Sequence, residues 1–159
     1  MPPFDLPVPL ALCRSVDHVL GHPHTAAIEP KFDGWRCQVL AGAGRLWSRH
    51  GTDLSASCAD IAEASRALPD CVLDSGELAF GKLQSRSGRG PRSHEGFTVH
   101  LAAFDVLVVG DTDWRPKPYS ERRGRLLDLL EGGPPVIRPT AASRRPWTGW
   151  APWAAWRAS

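Results

Sequence analysis

No apolar run in this chain of 159 residues approaches the roughly 20 residues needed to span a bilayer, so a membrane-spanning helix is not expected. Met1 to Leu12 is apolar, but prolines break it and it has no basic start, so it does not read as a signal peptide. The four cysteines (Cys13, Cys37, Cys58, Cys71) form no C-x-x-C pair. That argues against a zinc site or a disulfide framework and for reduced thiols, with the cytoplasm as the expected compartment. His22 and His24 flank a proline in a loop-like stretch, a poor setting for a metal site. There is no internal repeat. The net charge of +2 is too small to announce a nucleic-acid partner by itself.

What is present is the composition of a globular domain. A hydrophobic share of 42% with 23% charged residues is enough for one real core, while 15 glycines and 15 prolines imply many turns. Ala27 to Ala41 reads as extended chain: Trp35, Cys37 and Val39 alternate with Arg36, Gln38 and Leu40, which turns one face inward. Gly42-Ala43-Gly44 reads as a hairpin turn, with Arg45 to Arg49 returning as a second strand. Ser57 to Leu68 suggests a short helix capped by Ser55 or Ser57 and stopped before Pro69. Cys71 to Phe80 is strand-like, Lys82 to Gly96 a polar loop, and Phe97 to Val109 the strongest strand signal. Ser120 to Leu130 predicts an amphipathic helix with Leu126, Leu127, Leu129 and Leu130 inward, closed by Gly132-Gly133. Val136 to Arg138 fits one more short strand. Strands outnumber helices and are mostly joined by turns, so the expected class is α+β, with largely antiparallel sheets and flanking helices.

The chemistry begins at Glu29-Pro30-Lys31-Phe32-Asp33-Gly34-Trp35-Arg36. With a reference pKa of about 10.4, roughly one lysine in a thousand is neutral at neutral pH. To attack phosphorus, Lys31 must be desolvated or give its proton to a partner. Pro30 stiffens the approach, Asp33 can hold or accept the ammonium proton, Gly34 permits a tight bend, and Arg36 offers an anion a planar fork of donors. Alone, the cluster reads equally as an exposed strand edge. Three further polar points follow: Ser48-Arg49-His50-Gly51 at the hairpin end, Asp74-Ser75-Gly76-Glu77-Leu78 in an apolar strand, and Phe104-Asp105 after an apolar run. A carboxylate such as Glu77 inside an apolar strand needs a cation, a hydroxyl or a metal. Phe104 suits base stacking or the core equally. Two arginine clusters (Arg86, Arg89 and Arg92; Arg122, Arg123 and Arg125) read as solvated faces or as contacts to a phosphate backbone.

In order and spacing these points resemble the nucleotidyltransferase core of ATP-dependent DNA ligases, particularly the bacterial repair enzymes. The resemblance runs from about Phe4 to Thr140 and rests on E-P-K-F-D-G-W-R, S-R-H-G, L-D-S-G-E-L and F-D-V-L, followed by Pro118-Tyr119-Ser120-Glu121-Arg122-Arg123. It implies an ATP-grasp-like core in which Lys31 attacks the α-phosphate of ATP and holds AMP as a phosphoramidate. Glu29 would lie beside adenine, largely through its backbone, and Arg36 and Arg49 would contact ribose and phosphates. Glu77 would bind the ribose or a magnesium ion, and Phe104 would stack on adenine. Such displacement at phosphorus depends on positioning and charge neutralisation. The implied partner is nicked double-stranded DNA, with repair-complex proteins beside it, for a monomeric enzyme of repair or recombination.

Two departures qualify the resemblance. The family usually reads D-G-E, with its acids two apart; here Asp74 and Glu77 are three apart, which moves the aspartate to the other strand face unless a bulge absorbs it. Glu77 keeps its claim and Asp74 does not. The family's later E-G-x-V-x-K and K-x-K strands and its oligonucleotide-binding barrel have no counterpart in this sequence. Residues 1–140 therefore read as a partial, incomplete adenylation domain and residues 141–159 as an atypical tail. That tail holds four of the seven tryptophans (Trp147, Trp150, Trp153, Trp156), at a spacing of three that fits neither helix nor strand. Read one base earlier, each TGG codon yields an aliphatic codon, so the tail reads as unstructured or out of frame and the ligase as truncated and impaired. The alternative is an inactive remnant with residual ATP or DNA binding.

Overall fold

The computed structural model describes residues 5–12, 27–29, 34–77 (for Glu77 the backbone alone) and 99–142. Packing divides the chain into two units, Met1–Leu10 with Phe32–Pro139, and Ala11–Lys31 with Thr140–Ser159. Every strand and helix named below lies in the first.

β1 (Arg36–Leu40) and β2 (Arg45–Ser48) form an antiparallel hairpin with Val39 opposite Leu46. Its turn needs positive φ at Gly42 (+77°) and Gly44 (+66°), which glycine adopts without steric cost. The helix after it, α1 (Ala59–Ser65), is shorter than its sequence signal and begins after Cys58 with no side-chain cap. Ser55 is engaged elsewhere: its hydroxyl accepts the Leu46 N–H at 3.0 Å and ties the helix approach to the hairpin. β3 (Cys71–Glu77) pairs antiparallel with β1 and with β4 (Leu101–Val109), and the short β5 (Thr112–Asp113) extends the sheet beyond β4. α2 (Tyr119–Leu130) buries Leu126, Leu129 and Leu130, while Leu127 is 45% exposed. Positions 126, 129 and 130 share one helical stripe; Leu127 stands about 100° away from Leu126, so the inward set is three leucines and not four. The helix ends where the Gly133 N–H bonds the Leu130 carbonyl at 3.1 Å. β6 (Ile137–Pro139) then pairs parallel with β4 at Leu101 to Ala103. The strand order is β2-β1-β3-β4-β5, with β6 also on β4, giving the expected α+β class with a largely antiparallel sheet.

The two sheet faces differ. One carries Cys37, Val39, Leu73, Leu101 and Val106 and packs with Ile61 of α1 and Leu126 and Leu130 of α2 into the main core. The other buries Val72, Leu107 and Val108 beneath Val8, with Leu6, Leu10 and Leu40 around them. Gln38, 1% exposed, clamps that N-terminal segment. Its Oε1 accepts the Val8 N–H at 2.9 Å, and its Nε2 donates to the Val8 carbonyl. A buried amide is tolerated there because both of its ends are satisfied. Cys37, Cys58 and Cys71 are buried free thiols, and burial pushes the Cys71 thiol up to about 12.

β4 holds two irregularities. Val72 faces Val108 but Leu73 faces Val106, and Asp74 faces Asp105 but Ser75 faces Ala103, so Leu107 and Phe104 are extra residues on β4. The register of β1 on β3 is unbroken from Arg36 opposite Gly76 to Leu40 opposite Val72. The bulges thus lie in β4, and none in β3 absorbs the extra residue between Asp74 and Glu77.

Candidate functional site

The polar groups collect at one end of the second sheet face. β1 begins there with Arg36, opposite Gly76 and diagonal to Asp74. The Arg36 guanidinium donates to Asp74 through Nε at 3.0 Å and Nη2 at 2.5 Å, a bidentate pair in which the aspartate side chain is 8% exposed. Such a fork sets the guanidinium plane and satisfies a carboxylate that burial would otherwise penalise. Asp74 therefore has a partner that the family spacing did not suggest. The available signal was its parity with Gly76 and with the cross-strand Arg36 on an antiparallel hairpin.

The Arg49 N–H bonds the Arg36 carbonyl at 3.2 Å, which sets the two arginines side by side in the backbone. The S-R-H-G turn is built by Ser48, whose hydroxyl accepts the N–H groups of His50 (3.2 Å) and Thr52 (3.1 Å). That leaves Arg49 and His50 exposed at its tip, with Arg49 Nη2 3.3 Å from the His50 ring nitrogen.

Phe104 is half-buried, and its ring lies over Gly76. A Cβ at position 76 would come within 2.8 Å of Phe104 Cζ, so the glycine is a clearance for the ring. The next residue, Asp105, takes Arg122 of α2 in a fork, Nε at 2.9 Å and Nη2 at 2.7 Å, with both side chains 18% exposed. Arg122 also donates to the Lys117 carbonyl at 2.5 Å. Hydrogen bonding to Asp105 holds the Arg122 guanidinium above its usual range. Arg122, one of the six arginines with a claim to a phosphate backbone, is thus committed inside the domain.

In the second unit, Glu29 Oε1 accepts the hydroxyl of buried Thr140 at 3.1 Å, a tie across 111 positions. Lys31, Asp33, the loop arginines Arg86, Arg89 and Arg92, the tail 143–159 and the Glu77 side chain lie outside the described residues. The Glu77 backbone ends β3, opposite Leu101. Among the described residues no group of three or more His, Cys, Asp or Glu could hold a metal ion, and Asp74 is taken by Arg36. Nor is any helix among them long and apolar enough to cross a membrane. An open depression of about 410 Å³ lies at the opposite sheet end, around Leu40, Asp70, Val72, Val108 and Asp111, away from Arg36 and Phe104.

The family model described as ATP dependent DNA ligase domain matches residues 9–142. DNA ligase C of Mycobacterium tuberculosis is 34% identical over an alignment of 142 positions, covering 79% of this chain and 38% of that protein. The fold is similar to that of the ligase domain from M. tuberculosis LigD, with a TM-score of 0.59 at 23% identity, covering 82% of this chain and 44% of that one. It is also similar to mycobacterial DNA ligase D complexed with ATP and MES, with a TM-score of 0.55 at 25% identity and the same coverages, 82% and 44%. This chain spans less than half the length of each of these relatives.

Proposed function

The chain belongs to the ATP dependent DNA ligase domain family, and on that premise we propose that it forms a covalent lysyl-AMP at Lys31 as the first step in sealing DNA nicks. Lys31, shorn of its proton, bonds to the α-phosphorus of ATP as the bond to pyrophosphate breaks. The AMP is then passed to a 5′-phosphate at a nick in duplex DNA, where the 3′-hydroxyl displaces it. Arg36 and Arg49 neutralise the sugar-phosphate, Phe104 stacks on the base, and Glu29 lies beside the base through its backbone. Glu77 is the candidate ligand for ribose or magnesium. We assign the chain to repair or recombination, acting in the cytoplasm as a monomer.

The observation that supports this reading best is the grouping of Arg36, Arg49 and Phe104 at one end of one sheet face, with Gly76 cleared beneath the ring. Preorganised cationic donors stabilise charge in a displacement at phosphorus most where they need not reorganise. Asp74 gives Arg36 that rigidity.

The test is incubation with magnesium and ATP labelled at the α-phosphate, followed by a denaturing gel. Label should stay with the wild type and vanish in Lys31→Ala. Label surviving in Lys31→Ala would overturn the assignment of the nucleophile. No label in the wild type would leave the chain a non-catalytic remnant with ATP or DNA affinity at most.

A further inference from the structure

We infer that the Asp105–Arg122 ion pair is a positioning device for base recognition: it holds the β4 bulge that aims Phe104 at the nucleotide. The inference rests on the proposed adenylation reading and extends it to two residues that touch no nucleotide in that reading.

The geometry is specific. Phe104 is the extra residue of the bulge, and Asp105 is where the register with β3 resumes, opposite Asp74. The extra residue has no register position on β3, so the backbone on either side sets where its Cβ points. On one side the pin is the ladder, with Ala103 opposite Ser75. On the other it is Asp105, whose carboxylate both accepts the Arg122 fork and takes the Val106 N–H at 2.9 Å. Arg122 is itself anchored at the start of α2 by the Lys117 carbonyl, and α2 is seated by Leu126, Leu129 and Leu130. A rigid helix thus fixes one side of the bulge and the clearance over Gly76 fixes the ring. β5 pairs at Val108 and Val109 and the Trp114 N–H bonds the Leu107 carbonyl at 2.9 Å, while β6 pairs at Leu101 to Ala103, so neither strand pairs with the edge at Phe104 and Asp105. The ion pair fills that gap.

A purely structural pair predicts that its loss lowers thermal stability and leaves the affinity for ATP in the folded protein unchanged. A positioning pair predicts an effect on base binding that disappears once the ring is gone. The experiment is a double-mutant cycle on Asp105→Asn and Phe104→Ala in AMP labelling of the full chain, reading KM for ATP and the maximal rate separately. Asp105→Asn should raise KM about tenfold, the scale of one well-placed aromatic contact, with at most about a threefold loss of maximal rate. In the Phe104→Ala background the same substitution should change KM by less than about twofold. Arg122→Lys keeps the charge but loses the fork, so it should behave as Asp105→Asn does and serves if that variant fails to fold.

An equal rise in KM in both backgrounds, or no rise in either single variant, overturns the inference alone. If Phe104→Ala leaves KM unchanged, the stacking assignment falls and takes the inference with it. If the wild type takes no label, the nucleophile reading fails first, and this inference falls with it too.

Discussion

The two faces of the sheet are made from the same strands, yet they have been put to different uses. On the face toward α1 and α2, β1, β3 and β4 contribute Cys37, Val39, Leu73, Leu101 and Val106, and side chains from both helices complete an apolar core. On the other face only one end is apolar, where Val8 covers Val72, Leu107 and Val108. Moving along that face, the next groups are a buried amide, Gln38, then a nearly buried carboxylate, Asp74, then Arg36 and the Phe104 ring over Gly76. Burying polar groups costs free energy unless each is satisfied, and here each has a named partner. A fold in need only of stability would use leucine at those positions. On the proposed reading, function lies at the end of the face where burial is spent on charge.

The sharpest way to break the comparison is to damage each face and read both stability and nucleotide binding. Leu126 is fully buried in the main core. Leu126→Ala should cost about 3 kcal/mol of unfolding free energy, through lost burial and the cavity left behind. The KM for ATP of the remaining folded protein should stay within about twofold. Urea unfolding and AMP labelling measure the two effects separately, and a large change in KM would show that the faces are not independent.

Asp74→Asn is the matching change on the other face. The asparagine amide opposes the Arg36 fork with a donor and removes the charge that makes both bonds strong. We expect about 2 kcal/mol lost in urea unfolding, less than for Leu126→Ala because the Arg36 side chain, 26% exposed, can recover some hydration. On the proposed reading labelling should slow by about tenfold or more, because a loosened Arg36 would no longer meet the sugar-phosphate in one orientation. A variant that lost stability but labelled at the wild-type rate would make Asp74 a structural residue only.

These residues also mark how far the sequence could be read. The β1–β2 hairpin, the α2 boundaries and the short β6 were legible because glycine turns, a leucine stripe and a closing Gly132-Gly133 are local signals. The order of motifs was enough to identify the ligase-like core. What alternation could not reveal were the bulges: eight of the nine β4 residues are apolar, so no change of phase marks the two extra ones. Partnerships across elements were equally hidden. Asp74 with Arg36, Asp105 with Arg122 and Thr140 with Glu29 join residues 17 to 111 positions apart, and no local spacing encodes them. Ser55 was visible as a polar residue near a helix start, but the hairpin claimed its hydroxyl first. The family pattern keeps its two acids on one face, a spacing that Asp74 does not meet; the unbroken β1–β3 register gives it a cation of its own instead.

The smallest effect is expected from the pair at the exposed edge of the sheet. Arg45 and Asp53 meet at 2.7 Å on the exposed edge beside β2, with side chains 53% and 48% exposed, and the Arg45 guanidinium also lies 5.1 Å from the centre of the Trp47 ring. Hydrogen bonds from Ser55, and then the Arg45 partner, hold the Asp53 carboxyl below its ordinary range. A carboxylate depressed in the folded state contributes stability above its unfolded pKa of about 3.9, and that contribution is lost as pH falls through the lower folded value. Solvent screening keeps it small, so Asp53→Asn should cost a few tenths of a kcal/mol at pH 7. As pH falls below about 4 the difference should shrink, closing once pH is below the folded-state value. Adding salt should shrink the difference further, whereas the cost of Asp74→Asn should respond little to salt because its pair is shielded from bulk ions. Urea unfolding of both variants at pH 7, at low and high salt, and again near pH 3 checks these outcomes together. If the two aspartates responded alike to salt, the same chemical pair would be behaving identically on an edge and on the site face, and burial could not be what distinguishes them.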